Sequence, residues 1–311
     1  MRILVSGSSG LIGSAVVEAL EREGHAVARL VRPPSNLRAS ALPHTGPPAN
    51  HVRWDPVSGE LDAAAAGDAD AVVHLAGESI AQGRWNASRK RLLRNSRIDA
   101  TRGLVNALAK LPRPPRVFIS ASAIGYYGDR GEEELTEQST LGNDFLAALA
   151  RDWEAEAAHA GEFGARAVQL RFGVVLTPRG GALARMLPPF RLGVGGRLGS
   201  GRQWMSWLTL AEAVAIVRYA LENAAVRGPV NAVAPNPVRN AEFTAVLGRV
   251  LRRPTIFPVP AIFLRLAVGE LADVALLTSQ RVLPKKLQEL GYRFLHADLV
   301  AALSAVLTRK P

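Results

Sequence analysis

The sequence predicts an α/β fold: a doubly wound parallel sheet with a smaller C-terminal domain packed against it. Two observations carry this expectation. The chain opens on an apolar run, Ile3-Leu4-Val5, that passes through Gly7, Gly10 and Gly13 straight into an apolar helical pattern. Short apolar runs of strand length then recur as far as Val233, with helical stretches between them. That alternation is the mark of βαβ units in a parallel sheet. A chain of 311 residues buries a large core, as one large domain or two intimate ones.

The opening strand, glycine turn and helix start read as a cradle for a dinucleotide pyrophosphate. Gly7 lets the backbone turn sharply, Gly10 lets it approach the phosphates without a Cβ in the way, and Gly13 lets the helix pack close to the strand. The helix N-terminus presents free N–H groups and its positive dipole end. Gly7, Ser9, Gly10, Leu11, Ile12 and Gly13 are the expected contacts. The first helix runs from about Leu11 to Arg22 and ends near Gly24. His25 to Val31 is the second strand. Its end selects the cofactor: an acid there binds a ribose 2′-OH, whereas Arg accommodates a 2′-phosphate. No acid is present, and Arg32 follows Leu30-Val31 directly. Its planar fork suits a phosphate, so the expected cofactor is NADP(H). Arg38 lies further on, and Arg29 also reads as a solvated strand residue.

Residues 33–48, rich in Pro, Ser, Asn and Ala, read as a loop, and residues 51–55 as a short third strand. Asp70 to Leu75 is a buried parallel strand. The turn after it, Leu75-Ala76-Gly77, is small enough to lie against the cofactor, and Glu78 reads as a solvated loop acid or a cleft residue. Trp85 to Lys110 reads as one long helical region. Its basic residues do not share one stripe and no aromatic series interleaves them, so no nucleic-acid partner is expected. Arg97 differs, because it enters an apolar segment and there needs an anionic partner. Arg116 to Ser120 is the next strand. Ligands bind beyond the carboxyl ends of such strands, which makes Ser120, Ser122, Tyr126 and Tyr127 positional candidates. An acidic loop, 129–141, precedes a strong helix, 143–161, and a strand, 167–171. Glycines from Gly180 to Gly201 then open the smaller substrate-side domain. The expected division is a dinucleotide-binding domain at 1–175, to which the chain returns at about 205–235, and a substrate-side domain at 176–311. Helices are expected at 210–223 and 241–251 and a short strand at 230–233.

Composition excludes several classes. Apolar residues make up 48% and charged residues 21%, which fits a globular chain rather than a disordered one. No apolar run approaches the length that spans a bilayer, so no membrane partner is expected. Zero cysteines exclude disulfides and thiolate metal sites and fit a reducing cytoplasm. The six histidines are scattered, and no metal is expected. Net charge is +11, with only five of the 38 basic residues Lys. That balance suits an anionic nucleotide cofactor.

Strand order, glycine spacing, the Leu75-Ala76-Gly77 turn and the stretch SASAIGYYG together resemble the extended short-chain dehydrogenase/reductases. Leu75-Ala76-Gly77-Glu78, Ser96-Arg97, SASAIGYYGD, Asp152-Trp153-Glu154, RFGVVL and QRVLPKKLQELGYRF narrow the resemblance. They are similar to the atypical, YfcH-like "epimerase family" branch of the NAD-dependent epimerase/dehydratase superfamily, over essentially the whole chain. The resemblance implies a Rossmann-type NADP-binding domain and a small C-terminal substrate-side domain.

In short-chain dehydrogenases a Tyr moves the proton, with a Lys four residues later on the same helix face, and a nearby Ser or Thr holds the substrate oxygen. Ser122 matches that Ser, with one extra residue before Tyr127-Gly128. Helix 143–161 contains neither Tyr nor Lys. Tyr126, Tyr127, Tyr219 and Tyr292 are followed at the fourth position by Arg130, Gly131, Asn223 and His296. Arg97 falls where extended members often carry an active-site Asn, which aligns it with the cofactor or an anionic substrate. Two readings follow. In one, an oxidoreductase or epimerase acts on a small carbonyl or sugar-nucleotide-like substrate, with Ser122 orienting a carbonyl and Tyr127 or Tyr126 donating the proton. In the other, the chain is a non-catalytic NADP(H) sensor or scaffold. Oligomeric state is not legible.

Overall fold

A computed structural model describes residues 1–32 and 50–308. The predicted loop at 33–48 and Arg38 lie outside the described residues. Seven parallel strands form one sheet: β1 (Arg2–Ser6), β2 (Ala26–Val31), β3 (His51–Arg53), β4 (Ala71–His74), β5 (Val117–Ala123), β6 (Arg166–Phe172) and β7 (Gly228–Ala232). Their order is β7-β6-β5-β4-β1-β2-β3. The order reverses between β1 and β4, and the crevice outside their carboxyl ends is where ligands bind in such sheets.

Period-two burial explains why these runs are strands covered on both sides. Ile3 and Val5 face one core with Val73 and Ile119, while Leu4 faces the other with Val72 and Phe118. The longer helices are α1 (Leu11–Arg22), α2 (Ala87–Asn95), α3 (Ile98–Ala109), α4 (Phe145–Ala158), α5 (Gly181–Arg191), α6 (Leu210–Glu222), α7 (Asn240–Leu251), α8 (Ala261–Val268) and α9 (Leu299–Thr308). α1 and α6 supply Val16, Val17, Leu20, Ile216 and Val217 to the first core. α3 supplies Leu104, Val105 and Leu108 to the second. Each such side chain contributes about 1.5–3 kcal/mol on burial.

Two expectations are corrected. The single helical region at 85–110 is two helices, broken at Ser96-Arg97, where Arg97 takes φ −112° and ψ −60°. Asn86 caps the first through a 2.8 Å bond from the Arg89 N–H. The break turns Arg97 toward the β4 turn rather than along one continuous face. The strand expected at 116–120 runs on to Ala123, because Ala121, Ser122 and Ala123 pair with Leu170, Arg171 and Phe172.

A third core lies beyond the sheet. Leu183, Leu187 and Phe190 of α5 pack with Trp207, Phe243, Leu247 and Leu303. The C-terminal segment is tied back to α6 through Glu212, which accepts from Tyr292 Oη at 2.6 Å and from the His296 N–H at 2.9 Å. Among the described residues no helix is long and apolar enough to cross a membrane.

Candidate active site

The β1–α1 turn is built around its glycines. Gly7 sits at φ +66°, and a Cβ there would stand 2.7 Å from the Leu75 carbonyl. A Cβ on Gly13 would overlap the Gly7 carbonyl oxygen. These two glycines let the turn nest between α1 and the end of β4. Gly10 meets only the Gly7 oxygen, at 3.1 Å. As the N-cap of α1 it carries no capping side chain, and the first turn holds no acid. The end of α1 therefore keeps backbone donors without a competing carboxylate, around Ser9, Leu11 and Ile12.

A buried polar chain fixes the neighbouring turn. Ser6 Oγ lies 2.6 Å from His74 Nδ1, His74 Nε2 lies 2.9 Å from Thr101 Oγ1, and Trp153 Nε1 donates to Thr101 Oγ1 at 3.0 Å. Ser6 Oγ also accepts from the Ala76 N–H at 3.3 Å. Burial lowers the His74 pKa to about 4, so the ring is neutral and costs no buried charge. Leu75, Ala76 and Gly77 are thereby held against the glycine turn.

Arg97 lies on Gly77, where a Cβ would come within 3.3 Å of its Cζ. The sequence calls for an anionic partner; the structure gives it carbonyl oxygens and a ring. It donates to Glu78 O at 2.9 Å and Leu93 O at 3.3 Å, and its Cζ sits 5.2 Å from the Trp153 ring centre. Burial lowers its pKa to about 10, with Glu78 opposing and Arg89 adding to the shift. It stays charged at neutral pH. The Glu78 carboxylate lies 3.7 Å from Arg89. Arg32 is exposed at the end of β2, while Arg29 pairs with Glu21 at 3.1 Å.

The carboxyl end of β5 brings Ser122, Tyr126 and Tyr127 together. Ser122 Oγ donates to Glu154 Oε1 at 2.6 Å. Arg171 grips the same carboxylate with two bonds of 2.7 Å. Its third contact, from Nη1, reaches Tyr127 Oη at 2.9 Å, and Tyr127 donates onward to Asn231 Oδ1 at 2.6 Å. Burial alone would lower the Arg171 pKa, but the Glu154 carboxylate raises it further, so the cation is permanent. Tyr127 is fully buried, and burial pushes its pKa up to about 12 despite Arg171. Tyr126 is partly exposed, with Arg171 Cζ 3.5 Å from its ring centre. Ser120 is buried and bonds locally to Ala121 O at 3.0 Å. On α4, Leu146 stands against the turn at Gly125.

Glu154, Arg171 and Asn231 escape a reading based on candidate acids and nucleophiles. Their signal is polarity out of place. Arg171 sits inside the apolar strand AVQLRF, and Glu154 shares the buried face of α4 with Ala147, Ala150 and Ala157. A charge at such a position needs a partner, and each is the other's. Among the described residues Glu23, His25 and Glu222 bring ligand-type atoms within 4.8 Å of one another. Glu23 is already engaged by Arg218 at 2.6 Å.

The sheet order, the nested glycine turn and the β5 constellation define a short-chain dehydrogenase-like α/β protein. The chain belongs to the NAD dependent epimerase/dehydratase family, whose model matches residues 3–233. Residues 259–306 match a domain of unknown function, DUF1731. Epimerase family protein MT2273 of Mycobacterium tuberculosis is 44% identical, covering 99% of this chain and 98% of the relative. Epimerase family protein YfhF of Bacillus subtilis is 39% identical, covering 99% and 98%. The crystal structure of human epimerase family protein SDR39U1 (isoform 2) with NADPH superposes with a TM-score of 0.87 at 35% identity, over 98% of this chain and 99% of that one. UDP-sugar epimerases of 17–21% identity share the fold.

Proposed function

We propose that this protein binds NADP(H) and uses it for hydride transfer to a small carbonyl or sugar-nucleotide-like substrate. The observation that carries the proposal is the α1 terminus: a nested glycine turn, no capping side chain, no acid, and at the end of β2 an exposed Arg32 that pairs with no carboxylate among the described residues. Gly7, Ser9, Gly10, Leu11, Ile12 and Gly13 would hold the pyrophosphate, Arg32 the 2′-phosphate, and Leu75, Ala76, Gly77, Arg97 and Ser120 the rest of the dinucleotide. The similarity to a human relative crystallised with NADPH supports this reading. The absence of cysteine suits a reducing cytoplasm.

NADPH supplies the hydride when bound, and the chain must position the substrate and deliver a proton. Ser122 has one proton and commits it to Glu154, so toward a ligand it presents lone pairs. Tyr127 is equally committed inside the network. Tyr126 is partly exposed and its hydroxyl has no hydrogen-bond partner among the described residues, and we assign it the proton-donor role. Arg171, held by Glu154, keeps a positive charge against its ring.

A second reading, a non-catalytic NADP(H) sensor, draws on the same commitment of Ser122 and Tyr127 and on the missing Tyr–Lys pair. NADPH oxidation over a panel of aldehydes, ketones and nucleotide sugars separates the two. Catalysis predicts turnover that Tyr126→Phe abolishes without loss of NADPH binding. Turnover unchanged in Tyr126→Phe overturns the assignment. NADPH binding with no turnover across the panel favours the sensor.

A further inference from the structure

Among the described residues, one face of the third core's shell stays uncovered. α8 buries none of its residues. Leu192, Ile256, Phe257, Ile262, Phe263 and Leu266 are 55–79% exposed. Backbone contacts make them one surface rather than scattered points. Gly193 lies against Pro254, where a Cβ would meet the ring at 3.5 Å, and Gly196 lies under the Phe257 carbonyl. The Val259 N–H donates to Arg197 O and the Gly199 N–H to Val259 O, both at 2.8 Å. Pro260 then begins α8. An apolar surface of this kind marks an interaction site.

Cations border it. Arg249, Arg252 and Arg253 end α7 directly before this segment, and all three are exposed. None pairs with a carboxylate among the described residues. Arg265, on α8 itself, is neutralised by Asp273 at 2.9 Å. Unpaired guanidiniums beside protruding aromatic and aliphatic side chains complement a surface that is anionic outside and apolar beneath. We propose that this face docks onto an anionic lipid bilayer surface, with Phe257, Ile262, Phe263 and Leu266 entering the headgroup–acyl boundary and Arg249, Arg252 and Arg253 engaging lipid phosphates. A second copy of the chain fits less well, because each copy carries a net charge of +11 and brings like charges to the contact. The absence of a spanning run sets aside insertion across the bilayer; docking on its surface needs no such run.

The face adjoins the loop after β4. Arg84 Nη2 donates to Leu266 O, and Lys90 Nζ lies 2.7 Å from Glu270. Docking would therefore bring the lip of the crevice close to the lipid surface.

Co-sedimentation of the full chain with phosphatidylcholine vesicles, with and without phosphatidylglycerol, tests the proposal. Binding is expected only with the anionic lipid and should weaken as salt is raised. Arg249→Glu/Arg253→Glu should lower the affinity about thirtyfold or more, and Phe257→Ser/Phe263→Ser should lower it at least about tenfold, with an unchanged melting temperature as the check on folding. Leu266→Gln serves if the double Phe variant misfolds. Absent binding, equal binding to neutral vesicles, or affinity unchanged in both variants overturns it. So does a concentration-dependent dimer that Phe263→Ser dissolves, which would assign the face to a second copy.

Discussion

The Tyr127 hydroxyl lies between Asn231 and Arg171, so its removal leaves two buried polar groups short of a partner. Tyr127→Phe should cost about 1–3 kcal/mol of stability and leave NADPH affinity intact, measured by denaturant unfolding and fluorescence titration. A lost affinity with normal stability would contradict this. His74 gives a pH signature. Its folded pKa of about 4 lies below the unfolded value of 6.5. Above pH 6.5 both states are neutral and the residue has no effect. As pH falls below 6.5 the unfolded state takes up the proton first, and stability declines until about pH 4. The expected loss is about 3 kcal/mol across that window. His74→Asn should flatten it. Arg97 shows where residue-level reading reached and where it stopped. A lone Arg in an apolar segment is visible in sequence, but its carbonyl partners, Leu93 and Glu78, are reached only because the helix breaks at Ser96-Arg97, which side-chain periodicity does not reveal.

The glycine turn separates fold from ligand. A Cβ at position 13 overlaps the Gly7 oxygen, so Gly13→Ala must move α1 off β1 and should cost several kcal/mol, about 2–4 by comparison with other overpacked sites. Gly10 is less crowded: a Cβ there would meet one atom, the Gly7 oxygen, at 3.1 Å, a close contact that a small shift of the turn relieves. Gly10→Ala should cost much less stability than Gly13→Ala and still lose NADPH affinity. Equal loss of stability in both would show that Gly10 serves only packing. The strand–turn–helix was legible because all its signals are local. The extension of β5 to Ala123 was not, because it depends on pairing with β6, far along the chain. That extension places Ser122 beside Arg171 in register.

The architecture as a whole was legible from alternation, since buried parallel strands read as apolar runs whatever their partners. The Glu154–Arg171 pair shows why the site was not. It joins α4 to β6, 17 residues apart in sequence, and only the packed sheet brings Ser122 and Tyr127 to it. Arg171→Met should therefore cost about 3–5 kcal/mol, since it leaves a largely buried carboxylate without its cation. A change small enough to leave the melting temperature unmoved would show that water already screens the pair. The molecule thus keeps the family's cofactor crevice while the Ser122 and Tyr127 hydroxyls beside it are engaged by the protein itself. The most direct test is a titration of the purified chain with NADPH and NADH, followed by nicotinamide fluorescence, for the wild type and Arg32→Ala. NADPH should bind well above NADH, and Arg32→Ala should erase the preference while leaving NADH binding unchanged. Equal affinity for the two dinucleotides, or a preference untouched by Arg32→Ala, would contradict the account.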